Sequence, residues 1–237
     1  MLEVAAYRKV DRVYVCSEAD RREALARCPA EMSVLPNAVR SPGQVAERPT
    51  SGPFRFLFLG SLGYYPNADA VIYFCERILP EIRRTTSLPF EVEVAGTGAS
   101  EQLRALAATA GVRLLGRVPE VAPVLETASA VIAPLRAGGG TRIKILEAFS
   151  YRRPVVTTTI GLEGIDARAG EHVLVGDAPE EFARCCIQLM NDRALCDRLT
   201  HAAWCRWQEA YSMEALKRSV SSLAAIRAPR ESRSGAE

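Results

Sequence analysis

The chain has 237 residues, of which 48% are apolar, enough for one or two domains with a sizeable core. Its formal charge is +2 at neutral pH, which excludes a broad basic stripe for nucleic acid. Seven cysteines occur without a C-x-x-C pair, and His172 and His201 lie far apart, so zinc-ligand spacing is absent and the thiols fit a reduced, cytoplasmic protein.

The N-terminus has no signal-peptide core, and no apolar run reaches membrane-spanning length. RVYVCS (Arg12 to Ser17) reads as a strand, Glu18 to Arg27 as a helix capped by Ser17, and MSVLPN (Met32 to Asn37) as a second strand. One such βαβ unit is too small to bury its own core and needs a partner surface. Residues 41–53 are polar, carry three prolines and read as a linker.

From Phe54 the pattern is regular. Apolar runs with little alternation mark strands at 54–60, 90–96, 112–116, 130–135, 154–159 and 172–176, as expected where both sheet faces are covered. Helical stretches lie between them at Ala68 to Arg84, Ser100 to Ala110, Val121 to Ala128 and Thr141 to Arg152. This alternation predicts an α/β fold with a doubly wound parallel sheet over residues 54–192. Pro179 to Asn191, Arg193 to Ala210 and Met213 to Ile226 read as helices, residues 193–226 forming a C-terminal helical extension. The tail 227–237 reads as disordered.

Ligands of such sheets bind at the carboxyl ends of the strands. The loops there are glycine-rich: Gly60–Asn67, Gly96–Ala99, Gly116–Pro119, Arg136–Gly140 and Ile160–Ile165. The stretch from Ala130 to Thr159 is the centre of the pattern, because Gly138, Gly139 and Gly140 join a strand to a helix opening at Thr141. A glycine loop feeding a helix N-terminus suits an anion, since backbone N–H groups can approach it closely. Arg142 and Lys144 sit beside that loop, and Thr141, Lys144, Glu147 and Tyr151 share one polar ridge. Two readings stand for this ridge. Lys144 and Glu147 form a surface ion pair beside a plain turn, or they serve a phosphate and a sugar diol.

Several motifs are absent: there is no P-loop, no G-x-S-x-G elbow, no H-E-x-x-H and no Asp-x-Asp pair for a metal on a sugar nucleotide. Gly96-Thr97-Gly98 begins a dinucleotide fingerprint, but Glu101 replaces its third glycine and Arg117 lies where an acidic ribose reader belongs.

From about Asp11 to Ser212 the chain resembles the C-terminal, donor-binding half of a GT-B glycosyltransferase of the retaining group 1, or family 4, class. FLFLGSLGYYPNADAV, VEVAGTGAS, GVRLLGRVPEV and, most specifically, ASAVIAPLRAGGGTRIKILEAFSYRRPVVTTTIGLEGI carry the resemblance. It implies a Rossmann-like domain that holds a nucleoside-diphosphate sugar as substrate, with no cofactor and no metal. It implies that Glu147 lies on the donor ribose, and with Lys144, read from the helix pattern, Glu147 makes the expected catalytic pair. Donor contacts then fall to Gly60, Ser61, Gly116, Arg117, Val118, Gly138, Gly139, Gly140, Thr141 and Arg142.

The resemblance has departures. The first glutamate of the family's E-x7-E falls at Gly139, and Ser61 and Asn67 stand where relatives carry a basic pair, so Arg142 and Lys144 are expected to supply the phosphate charge. Arg152 stands where relatives usually carry glycine. Residues 1–40 resemble only the end of an acceptor-side domain, which implies a truncated chain, an acceptor-domain partner in trans and Trp204, Trp207 and Tyr211 as a docking patch or ordinary core. No nucleic acid is implied as a partner, and any membrane contact would be peripheral. The alternatives are a non-catalytic nucleotide-sugar-binding or interaction module, and a sugar-nucleotide epimerase on the same fold.

Overall fold

A computed structural model describes residues 10, 12–27, 30–49 and 51–227. Lys9, Cys28 and the tail beyond Arg227 lie outside the described residues.

The first unit is β1 (Val13–Val15), α1 (Glu18–Arg27) and β2 (Met32–Val34). The two strands pair in parallel, Val13 against Met32, in a sheet of their own. Ser17 caps α1 by accepting from the Asp20 N–H at 3.0 Å. No residue of α1 is buried. The chain then meets the main body at Val39, whose N–H donates to the Tyr211 carbonyl at 2.8 Å.

The main sheet has six strands: β3 (Phe54–Leu59), β4 (Phe90–Ala95), β5 (Arg113–Gly116), β6 (Ala130–Ala133), β7 (Val155–Thr157) and β8 (Leu174–Val175). All neighbours are parallel, in the order β5-β4-β3-β6-β7-β8. Alternate residues of β3 serve opposite cores. Phe56 and Phe58 join Val92, Val94, Ile132 and Val156 on one face, while Leu57 and Leu59 join Ala95, Val131, Ala133 and Val155 on the other. Helices cover both faces, so the fold is the doubly wound, Rossmann-like α/β sheet that the strand runs predict. The strand order reverses between β3 and β6, which opens a crevice at their carboxyl ends.

The first long helix runs as α2 (Tyr65–Tyr73), a π turn (Phe74–Ile78) and α3 (Leu79–Thr85). It starts three residues before the predicted Ala68, with Pro66 in its first turn, where proline is preorganised for a helix. The π turn has a local cause. Pro80 offers no N–H and would clash with the carbonyl four residues back, so the helix widens, and the Leu79 N–H reaches the Phe74 carbonyl instead. Next come α4 (Glu101–Thr109), capped by the Ser100 hydroxyl, and α5 (Ala122–Thr127).

The helix predicted from Thr141 to Arg152 is shorter: α6 spans Ile143–Ser150. Arg142 has non-helical angles (φ −83°, ψ 87°) and stands at the N-cap, so Thr141 belongs to the loop. The polar ridge is shorter too, because Tyr151 packs in the core with Phe149 and Val155. A turn of helix, α7 (Thr159–Leu162), occupies the predicted loop 160–165, with the Thr158 hydroxyl accepting from the Gly161 N–H. The chain ends in α8 (Pro179–Asn191), α9 (Arg193–Ala210) and α10 (Met213–Arg227), the last including the Arg227 assigned to the tail from sequence.

Arg153 ties this half together. It is 1% exposed and donates to the Leu125 and Glu126 carbonyls at the end of α5 and to the Ala46 carbonyl in the segment 41–53. Trp207 and Tyr211 are core residues, the Tyr211 hydroxyl accepting from the Asp166 N–H at 2.6 Å. Trp204 is half-buried under the Arg152 guanidinium, 4.1 Å from its ring centre. Arg152 itself sits at φ 52°, the left-handed region that glycine adopts without strain.

Candidate functional site

At the crevice between β3 and β6, four loops enclose a cleft of about 470 Å³. Gly60, Ser61 and Tyr64 follow β3, Gly96 and Thr97 follow β4, Arg117 and Val118 follow β5, and Gly139, Thr141 and Arg142 follow β6. Lys144 and Glu147 project into it from α6, and Asn67 from α2. Other clefts of similar size exist on the surface, for example that lined by Ser51, Pro53, Leu88 and Met190. This one lies at the strand reversal and combines Lys144, the Glu147 carboxylate and the start of a helix.

The loops meet because side chains are missing where they cross. A Cβ on Gly96 would lie 1.8 Å from the Gly60 carbonyl oxygen, so only glycine permits the approach of the β3 and β4 loops. The loop after β6 turns through Gly138 (φ 112°) and Gly140 (φ 76°), both left-handed. It brings the start of α6 to the cleft, where Thr141, Arg142 and Ile143 line it.

Lys144 is the cation of the site. Its Nζ donates to the Asn67 Oδ1 at 2.7 Å and lies 4.0 Å from the centre of the buried Phe58 ring. Burial pushes its pKa down from the usual 10.5 to about 7, with the neighbouring Arg142 charge adding to the effect and Glu147 opposing it. Glu147, half-buried one turn later, has its pKa raised by burial, with Lys144 opposing. The two attract through space, yet desolvation outweighs the attraction for both. Among the described residues Lys144 bonds to Asn67 rather than to a carboxylate, which removes the ion-pair reading of this ridge.

Arg142 is placed differently from expectation. Its guanidinium turns back into the glycine loop and donates to the carbonyls of Gly140, of Gly138 at 3.0 Å and of Ile160 at 3.1 Å. It is buried and braces the loop, and it lines the cleft with the part that remains. Lys144 is therefore the cation left to face a ligand from α6. The Thr141 hydroxyl is buried without a partner beside the same loop.

The other sequence-derived candidates divide into two sets. Gly60, Ser61, Arg117, Val118 and Gly139 line the cleft, and Arg117 is exposed at its edge. Gly116, Gly138 and Gly140 shape the loops without lining it. Sequence reasoning missed Asn67, Tyr64 and Thr97. Asn67 was legible only as a missing charge, since nothing in the sequence says that α2 faces Lys144. Among the described residues no group of three or more His, Cys, Asp or Glu could hold a metal ion.

Residues 53–192, more than half of the chain, match the family described as Glycosyl transferases group 1. The chain belongs to this family. No curated protein matches it in sequence. Solved structures share the fold of this group 1 chain. A mutant of S. aureus TarM, in complex with Fondaparinux, alpha-GlcNAc-glycerol and UDP, superposes with a TM-score of 0.75 at 18% identity, over 93% of this chain and 45% of TarM. Sucrose-phosphate synthase from Thermosynechococcus elongatus gives 0.77 at 15%, over 95% of this chain and 60% of that one. Anabaena Alr3699/HepE, in complex with UDP and glucose, gives 0.76 at 12%, over 94% and 66%. The group 1 chain thus spans a little under half the length of TarM. No described helix is long and apolar enough to cross a membrane.

Proposed function

We propose that this group 1 chain is the donor-binding half of a retaining, metal-independent glycosyltransferase of the GT-B type. It would hold a nucleoside-diphosphate sugar and promote transfer of the sugar to an acceptor bound by a second lobe, with release of the nucleoside diphosphate. The observation that carries this reading is the juxtaposition of Lys144 and Glu147 with the glycine loop and the α6 N-terminus in one cleft at the strand reversal. Family membership and the UDP present in the TarM and HepE structures support the donor class.

The chemistry follows from charge. As the glycosidic bond lengthens, negative charge grows on the leaving diphosphate. The Lys144 ammonium and the backbone N–H groups at the start of α6 are fixed to meet it, so they stabilise the departing group more than the bound donor. The half-buried Glu147 carboxylate, one turn along, would accept from the ribose diol and fix the nucleoside. Arg117 and Val118 would border the base. Arg142 would hold the loop in shape rather than meet the phosphates. Residues 1–40 would close the acceptor side and 41–53 would link it to the donor domain 54–192, braced by the helices at 193–226. The free cysteines among the described residues suit a cytoplasmic setting.

A thermal-shift titration with UDP, GDP, ADP and the matching monophosphates tests the reading. A ligand at 100 times its Kd adds about 2.7 kcal/mol to stability. One diphosphate should raise the melting temperature of the chain, and the rise should vanish in Lys144→Ala. A stabilised Lys144→Ala variant, or no response of the chain to any nucleotide, would count against it.

A further inference from the structure

Asn67 touches Lys144 from a separate element. Its Nδ2 donates to the Ser61 carbonyl at 2.9 Å, which fixes the amide plane, and its Oδ1 then accepts from Lys144 Nζ at 2.7 Å. Gly60 leaves room for both, since a Cβ there would lie 2.7 Å from the Asn67 Nδ2 and 2.9 Å from Lys144 Nζ. The ammonium has three N–H donors. One is spent on Asn67, the Phe58 ring lies against another side of it at 4.0 Å, and donor capacity remains for a ligand.

We propose that Asn67 is the positioning residue for diphosphate capture: its neutral amide, tied to the Ser61 backbone, holds the Lys144 ammonium beside the glycine loop without cancelling its charge. This rests on the donor reading above. A carboxylate at position 67 would orient the lysine equally well and neutralise it, and an apolar residue would leave it free to withdraw. An amide alone does one without the other. The charged groups around Lys144 are Arg142 and Glu147 on its own segment and Arg117 on the loop after β5, so no acid from α2 or the β3 loop competes with an incoming phosphate.

Two readouts on the full chain test this. The first is the titration of Lys144 in the ligand-free protein, followed by NMR of its side chain. Asn67→Asp should move the midpoint to higher pH, and Asn67→Ala to lower pH, since each changes what accepts from the ammonium. The second is affinity for the nucleoside diphosphate that the chain prefers. Both variants should bind about tenfold or more weakly at neutral pH. In a Lys144→Met background the Ala variant should have little further effect on affinity, since the coupling runs through that lysine. Binding unaffected by Asn67→Asp, or equal losses in both variants with an unmoved Lys144 titration, would overturn the positioning role. Absence of nucleotide binding by the unsubstituted chain would instead overturn the donor reading itself.

Discussion

Lys144 decides how the site answers to pH. Its pKa of about 7 is a consequence of burial first and of Arg142 second. An anion binds the ammonium and not the amine, so binding must raise that pKa and draw in a proton. The sign follows: diphosphate affinity should be flat below about pH 7 and weaken as pH rises above it, approaching tenfold per unit. Calorimetry at about pH 8 in buffers of different ionisation heat should show close to one proton taken up, and none in Lys144→Met. An affinity unchanged across that range would remove Lys144 from the phosphate contacts. The two residues singled out on α6 from sequence, Lys144 and Glu147, both face the cleft, because helical spacing places i and i+3 together whatever the helix packs on. Arg142 marks the limit of that reasoning. A charge beside an anion site reads the same whether its side chain points outward or folds back on three carbonyls.

The elements were legible where a long pattern fixes them. The buried strands β3, β4, β6 and β7 appear as apolar runs because both of their faces are covered, and α8 and α9 keep their predicted limits because Pro179 and the Asp192 cap mark their starts. Elements set by a single cap or turn were not legible. The four residues of α7 are held by the Thr158 cap, and the start of α6 is set by the backbone angles of one arginine. The end of α6 carries a testable consequence. Arg152 is left-handed, which costs about 1 kcal/mol in a residue with a Cβ. Its guanidinium recovers about 0.5–1 kcal/mol on Trp204. Arg152→Gly should therefore be close to neutral in urea unfolding, while Arg152→Ala, which keeps the strain and loses the contact, should be less stable than the glycine variant by about 1 kcal/mol. An alanine variant as stable as the glycine one would refute the left-handed conformation.

At the scale of the molecule, one buried guanidinium joins parts that the sequence separates. Arg153 holds the end of α5 and the segment 41–53, and burial together with the Arg48 charge lowers its pKa to about 10, still protonated at neutral pH. Removing it frees carbonyls that were hydrogen-bonded, but it also removes a costly buried charge. Arg153→Met should lose about 1–3 kcal/mol of stability and raise hydrogen exchange around Ala46. Exchange there that matches the parent chain would show that the segment is held by other contacts. No periodicity could reveal this tie, because it spans more than a hundred residues from Ala46 to Arg153. The wide turn at Phe74–Ile78 has a different reach. Each residue of a regular helix turns its successor by about 100°, so a rod without the extra residue would present Asn67 and the core side chains of α3 in a fixed relative phase. By widening ahead of Pro80 the helix shifts that phase, so that Asn67 at one end lines the cleft while Leu79 and Ile82 at the other fill the interior.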